Sequence, residues 1–250
     1  CFGPTPAGNS IAMIRMLKSR DFQKAAEDFR YLLNRGYPRK AALELVGNRY
    51  GLASDQRHLL HRGVFSDRDS QSRKKKKLSI KAIRNKDVAI DGYNVIITLE
   101  TGLSGRPLVL GDDAFFRDIS GLSGSFKRTE NTEKALQWIF DVIKEEGPRH
   151  TLFLFDAPIS KSGRLAEEVR GRMVQEGIPG EARAINVPEK ILIGFQGVVA
   201  TSDTAIIDQS EEVIDLAGHI LRRLLFQKGE PATSFPLIRW VKKRGSLEKT

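Results

Sequence analysis

The sequence predicts an α/β fold, a mostly parallel sheet flanked by helices, with a small all-α region ahead of it. Three observations carry this. From residue 87 onward, short β-branched runs alternate with helical periodicities, the pattern of strands joined by crossover helices. Several of these runs end in carboxylates: Val88-Ala89-Ile90 leads to Asp91, Leu108-Val109-Leu110-Gly111 to Asp112 and Asp113, Leu152-Phe153-Leu154-Phe155 to Asp156, and Val198-Val199-Ala200-Thr201-Ser202 to Asp203. The charge is also divided. Residues 1–86 hold 20 Lys+Arg against 7 Asp+Glu, whereas residues 87–250 hold 21 against 24, within a net charge of +10.

The front region, residues 10–65, reads as a basic helical domain. Ser10 can cap a short helix through Leu17, and Asp21 can cap the next. In that second helix Phe22, Ala25, Ala26, Phe29, Leu32 and Leu33 fall on one face. Gly36-Tyr37-Pro38 ends it, and Pro38 suits the first position of a third helix running to about Tyr50. Gly51 makes a turn and Ser54 or Asp55 starts a fourth helix, so residues 41–62 resemble a helix-turn-helix in spacing. The second helix of such a unit would offer Gln56, Arg57, His58 and Arg62 to a nucleic acid. With no Cys or third His nearby, His58 and His61 read as surface or core histidines.

Residues 66–86 lose almost all apolar character and carry Arg73-Lys74-Lys75-Lys76-Lys77, which reads as a basic linker. Lying just before the Asp91 strand, this run can also serve as an arm touching phosphates. The α/β domain then spans residues 87–228. After Asp113, Asn131 can cap a helix with Ala135, Leu136, Ile139, Phe140 and Ile143 inward, and Gly147-Pro148 closes it. Leu165, Ala166, Val169 and Met173 mark another, followed by a strand over residues 182–187 and the Asp203 strand. A final helix is expected over residues 211–226, with acids in its first turn and Arg222-Arg223 near its end. Leu237, Ile238, Trp240 and Val241 suggest that the tail, residues 229–250, docks on the rest.

Composition narrows the function classes. A 40% hydrophobic content supports a real core, and no window reads as a membrane span or a signal sequence. The single cysteine, Cys1, excludes an intramolecular disulfide and a Cys-based zinc site, which fits a reducing cytoplasm. A basic segment joined to a slightly acidic one points to a polyanion gripped by the first.

Strand ends of a parallel sheet gather on one edge, where ligand sites of open α/β folds lie. Asp91, Asp156 and Asp203 each occupy such an end, and Asp112 or Asp113 is expected to join them. Carboxylates brought together repel and raise one another's pKa values; a divalent cation relieves this, and hard oxygen ligands favour Mg²⁺ or Mn²⁺. The opposing interpretation makes each Asp a separate N-cap.

With Ile90-Asp91-Gly92-Tyr93-Asn94 and Ala200-Thr201-Ser202-Asp203 as the closest matches, residues 87–226 resemble a PIN-like (NYN-type) metal-dependent ribonuclease. The whole arrangement also resembles an uncharacterised, largely archaeal family with a basic helical domain before such a fold. The resemblance implies hydrolysis of an RNA phosphodiester leaving a 3′-hydroxyl, with Asp91, Asp156 and Asp203 as metal ligands. It implies that Asn94 positions a carboxylate or the water, and that Thr201 or Ser202 supports the site. The second acid departs from the family pattern, because Asp112, Asp113 and Asp118 all compete for it. Under this reading Arg57, Arg62, Arg73, Lys74, Lys75, Lys76, Lys77, Lys127 and Arg128 would hold RNA, or DNA in its place. Arg117 is open between a phosphate contact and an ion pair with Asp113 or Asp118. The twin GLSG tetrapeptides, residues 102–105 and 121–124, read as loops flanking the site.

A non-catalytic RNA- or DNA-binding protein on the same scaffold is the main alternative. A phosphoaspartyl receiver would want an acid paired with Asp91, and a dehalogenase-like phosphatase a second Asp two residues on; neither is present.

Overall fold

In the computed structural model, which describes residues 19–119, 126–227 and 237–239, four helices precede the main sheet. Ser19 starts the first, α1 (Arg20–Asn34), its side chain accepting from the Phe22 amide at 3.3 Å. The expected apolar face is the one buried: Phe22, Ala25, Ala26 and Phe29. Pro38 caps α2 (Arg39–Arg49), Gly51 turns the chain at φ +57°, and α3 (Ser54–Gly63) follows. These helices share their core with Val109, a residue of the α/β region, so the two regions are packed together. The helix expected from Ser10 lies outside the described residues.

Residues 66–86 are not a linker. Ser66 accepts from the Asp69 amide and starts α4 (Asp67–Lys76), with acids in its first turn and Arg73 to Lys76 in its last, the sense that suits the helix dipole. It has little apolar surface because its buried side chains are a serine, Ser70, and an arginine: Arg73 donates to Asp208 at 2.7 and 2.8 Å and to Asp113 at 3.3 Å. Strand β1 (Lys77–Leu78) and a 3₁₀ turn (Ile80–Ile83) complete the segment.

The α/β region continues with β2 (Asp87–Asp91), α5 (Gly92–Leu103), β3 (Leu108–Leu110), β4 (Phe116–Asp118), α6 (Glu130–Glu146) and β5 (His150–Asp156). Then come α7 (Ser162–Gln175), β6 (Gly180–Ile185), α8 (Pro188–Ile193), β7 (Val198–Ala200), α9 (Thr204–Gln209), β8 (Glu212–Ile214), α10 (Leu216–Gln227) and β9 (Leu237–Arg239). The main sheet has the order β1-β8-β7-β2-β5-β6 and every pairing in it is parallel. The predicted fold class is therefore the observed one.

Central β2 is buried on both faces. Val88 and Ile90 pack with α5, α6, α7 and α10, while Ala89 packs with Leu192 of α8 and Ile206 of α9 on the other side. Asp91 and Gly92 join β2 directly to α5. A Cβ on Gly92 would stand 2.3 Å from the Phe155 ring and 2.8 Å from the Leu154 carbonyl, so only glycine lets the helix start this close to β5.

Two expectations fail here for identifiable reasons. Residues 108–110 do form a strand, but in a separate three-stranded sheet, β4-β3-β9, where β3 runs antiparallel to β4. Its Asp112 and Asp113 are therefore not carried to the main sheet's edge by that sheet's strand direction. Residues 211–226 are not one helix, because Asp215 divides them into β8 and α10. Its carboxylate accepts from the Gly218 amide (2.9 Å), the Phe116 amide (3.1 Å) and Lys77 Nζ (2.9 Å). The strand expected over residues 182–187 runs two residues earlier. The tail docks through β9, which pairs with β3; Trp240, Val241 and residues 121–124 lie outside the described residues.

Substituting Gly92→Ala will force Phe155 or β5 to move. We expect a loss of roughly 1–3 kcal/mol, read as a lower urea midpoint with an unchanged m value.

Candidate functional site

Because β2, β5 and β7 are parallel, their C-terminal ends lie on one edge. Asp91 ends β2, Asp156 ends β5, and Asp203 follows β7 after Thr201 and Ser202. All three line a single cleft of about 520 Å³, together with Asn94, Asp118, Glu189 and Arg62. The sequence-predicted acids are thus brought together.

Local hydrogen bonds position them unequally. Thr201 Oγ1 donates to Asp91 Oδ2 at 2.8 Å and accepts from the Asp203 amide at 3.1 Å, so one hydroxyl links two of the acids. Ser202 donates from its amide and its hydroxyl to Asn94 Oδ1 at 2.9 and 3.0 Å, joining α5 to the segment after β7. Asn94 therefore holds the loop that carries Asp203. Asp203 behaves as an N-cap, its Oδ1 accepting from the Ala205 and Ile206 amides at 2.8 and 3.2 Å. Asp91 stands at the N-cap of α5, but the Asn94 amide of that helix acts on its carboxylate less than the Thr201 hydroxyl does. The separate-cap interpretation holds for Asp203, whereas Asp91 has its main partner, Thr201, in a distant segment.

Electrostatics sets Asp91 apart. Burial pushes its carboxyl up to about 7, helped by Asp203 and Asp156 and opposed by the Thr201 hydroxyl. Asp156 is also pushed up, by burial and then by Glu189. The Tyr93 phenol beside them is raised to about 12 by burial and Asp156, and so stays protonated.

Two further acids line the cleft. Asp118, last residue of β4, is the one of the three competing carboxylates that reaches it, and it pairs with Arg62 Nη2 at 3.3 Å. Arg62 comes from α3, so the helical region supplies part of the wall; its Nε is buried with no hydrogen-bond partner among the described residues. Glu189 was missed by sequence reasoning. Its signal was an acid in the first turn of a Pro-started helix that follows a strand, four residues past the end of β6.

Asp112 and Asp113 do not line the cleft, which corrects the expectation that either joins the acidic edge. Asp112 accepts two bonds from Arg30, at 2.9 and 3.0 Å, and one from the Phe65 amide at 3.2 Å. Asp113 is fully buried and accepts two bonds from Arg117, at 2.8 and 2.7 Å, and a third from Arg73. Burial alone would raise its carboxyl, but Arg117 and Arg73 hold it below the usual carboxylate range. Both are structural anchors.

Several expected nucleic-acid contacts are likewise committed elsewhere. Arg117 is buried and also donates to the Ser202 carbonyl at 2.7 Å, which settles it as an ion-pair residue. Arg57 folds back on the Leu52 carbonyl and Asn48. Arg73 is buried, as described above. Lys76 donates to the Ile207 and Asp208 carbonyls, and Lys77 to Asp215 and the Ala114 carbonyl. Arg128 pairs with Glu133 and Glu168. Lys74, Lys75 and Lys127 are exposed. His61, on the protein surface, is pushed down to about 4, by partial burial and then by Arg39.

The donor set at the edge is chemically suited to a hard divalent cation: carboxylate oxygens, one of them buried among like charges and held chiefly by the Thr201 hydroxyl. In the present side-chain arrangement no group of three His, Cys, Asp or Glu is close enough to grip an ion, among the described residues. Arg62 and the Asp203 capping bonds hold two of the acids in other contacts.

Two family models match the chain. One, described as a domain of unknown function (DUF5616), covers residues 80–219; the other, described as a protein of unknown function (DUF434), covers residues 21–76. The junction between them falls at the end of α4, so the segment read as a linker divides between the two matches. The chain is also similar to an uncharacterised protein of Methanocaldococcus jannaschii, 36% identical over 204 residues, 81% of this chain and 97% of that protein. No solved structure gives a significant match.

Asp91 gives a pH dependence of known sign. Its carboxyl keeps a proton to about pH 7 when folded, but ionises near 4 when unfolded. The resulting stability is fully present below about pH 4 and is lost as pH rises through about 7, on the order of 4 kcal/mol. In chelator, Asp91→Asn will therefore lose less stability than wild type between about pH 5 and about pH 8, measured by thermal unfolding. Parallel curves would show that Asp91 is already ionised in the folded chain.

Proposed function

We propose that this chain, which belongs to the DUF5616 family, is a divalent-metal-dependent ribonuclease. The acidic cleft hydrolyses RNA phosphodiester bonds, and the basic helical region helps to hold the nucleic acid. The observation that carries this reading is the convergence of Asp91, Asp156 and Asp203, three acids from distant segments, on one cleft at the C-terminal edge of a parallel sheet. The resemblance of the segments at Asp91 and Asp203 to PIN-like, NYN-type nucleases supports it.

In this reading Asp91, Asp156 and Asp203 hold Mg²⁺ or Mn²⁺, with Asp118 and Glu189 as further carboxylates on the same wall. When bound, the ion supplies Lewis-acid stabilisation of charge developing on phosphate. The other roles belong to the chain itself. Thr201 orients the Asp91 carboxylate, and Ser202 with Asn94 holds the loop bearing Asp203. Arg62 offers a guanidinium on the cleft wall to a non-bridging phosphate oxygen. Tyr93, which stays protonated, can donate to the substrate but cannot act as a base near neutral pH.

The reading puts the activity in the cytoplasm, with RNA rather than a membrane as partner. One cysteine suits a reducing compartment. Among the described residues no helix is long and apolar enough to cross a membrane.

A second reading, a non-catalytic RNA- or DNA-binding protein, is favoured by one observation: Asp203 Oδ1 is already used by two amides of α9. Incubating labelled RNA with the purified chain and Mn²⁺ or Mg²⁺ separates the two. We expect metal-dependent cleavage, lost by more than about 100-fold in Asp91→Asn and Asp156→Asn and reduced about 10–100-fold in Thr201→Val, which removes only an orienting hydroxyl. Binding without cleavage under any divalent metal would support the second reading instead.

A further inference from the structure

Beside the acidic cleft lies a second cavity of about 610 Å³, with the two sharing Tyr93 and Ile159 as a common wall. The two are opposite in character. The first is lined by carboxylates; the second is lined by Phe126, Lys127, Arg128, Lys161, Arg164 and Leu165, with no acid on its lining among the described residues. It stands outside the helical region to which the sequence assigned most nucleic-acid contacts.

Three cations without an ion pair among the described residues are gathered at this one cavity. In this half of the chain Arg117, Arg149 and Arg183 are in ion pairs, and Arg128, which also lines the cavity, is paired with Glu133 and Glu168. Among the described residues Lys127, Lys161 and Arg164 have no acidic partner, and all three face the same cavity. Uncompensated positive charge around a concave wall favours an anionic ligand. Lys161 also stands at the start of α7, which has no side-chain cap and no acid in its first turn, so the positive end of the helix dipole adds to the field.

The remaining lining is apolar and aromatic. Phe126 is half-buried and rests edge-on against Tyr93, with ring centroids 4.9 Å apart, and Ile159 and Leu165 continue the surface. Phosphate alone has no use for such a wall, but an unstacked base does. A duplex keeps its bases stacked inside and presents only its backbone, so it cannot fill the apolar half of this cavity. We infer that the second cavity is a subsite for one nucleotide of single-stranded RNA. Its phosphates lie against Lys127, Lys161 and Arg164, its base lies against Phe126, and the strand continues over Tyr93 into the acidic cleft. This inference rests on the proposed ribonuclease reading and names its substrate class.

The test is a binding measurement that needs no cleavage. Fluorescence anisotropy of the full chain in EDTA compares a labelled RNA of about 12 nucleotides with the same sequence as a blunt duplex. We expect the single strand to bind at least about 10-fold tighter than the duplex. The double substitution Lys127→Glu with Arg164→Glu will weaken single-strand binding by about 10-fold or more and make its salt dependence shallower by about 1.4 in log–log slope, two phosphate contacts' worth. Lys161 is left unchanged because it sits at φ +66°, where another side chain can disturb the turn. The milder pair Lys127→Gln with Arg164→Gln should weaken binding in the same direction and guards against misfolding, checked by circular dichroism. Arg149→Glu with Arg183→Glu makes the same change in net charge away from the cavity and should leave binding within about twofold. Equal weakening by this control, equal binding of duplex and single strand, or no effect of either Lys127/Arg164 pair would each overturn the subsite. Its failure is distinguishable from failure of the enzyme reading: cleavage by wild type that survives the Lys127/Arg164 changes removes only the subsite, whereas cation-dependent binding without cleavage under any divalent metal removes only the nuclease.

Discussion

A carboxylate that never meets solvent holds the acidic edge in place. Asp113 accepts two hydrogen bonds from Arg117 and one from Arg73, and each arginine reaches further. Arg117 donates to the Ser202 carbonyl, beside the segment that bears Thr201 and Asp203, while Arg73 grips Asp208 on α9. One buried charge cluster therefore ties α4, the small sheet, the segment after β7 and α9 into a single frame. Breaking such a network by removing one partner leaves an uncompensated buried charge and costs about 3–5 kcal/mol. That cost makes the frame stiff. It keeps the Asp203 segment within reach of Asp91, although Asp203 lies far along the chain from it.

The parts of this architecture legible in the sequence were those set by local chemistry. A β-branched run ending in Asp and followed by Gly is a strand that must turn at once, and Gly92 meets that need. Parallel strand direction then carries Asp91, Asp156 and Asp203 to one edge without further information. What stayed hidden depended on distant partners. Nothing local distinguishes Asp113, which neutralises two arginines, from Asp118, which reaches the cleft. Asp113 follows one short strand and Asp118 ends another, and the antiparallel β3–β4 pairing separates them. The break at Asp215 was obscured because β8 and α10 together form one continuous apolar periodicity. The carboxylate that divides them takes its proton donors from β1 and β4, far away in sequence.

Charge counting was informative about sign and misleading about availability. The front region is strongly basic, yet much of that charge is used inside the protein. Arg30 binds Asp112, Arg73 binds Asp113 and Asp208, and Lys77 binds Asp215. Arg39 lies over the Phe29 and Phe65 rings and donates to the Val64 carbonyl, its guanidinium pushed down to about 10, first of all by burial. The acidic segment after residue 86 thus meets its counter-charges in the segment before it. A basic run can act as internal mortar between two regions, and only coordinates reveal which of its residues remain free.

The pairing of β9 with β3 has a further implication for how the molecule comes into being. The middle strand of the small sheet waits for a partner that emerges from the ribosome long after it, and β1 waits in the same way for β8. Contacts so remote along the chain are slow to form. The corner where Arg62 meets Asp118 therefore acquires its final backing late in folding, and a half-made chain carries its strand ends before it has a finished wall around them.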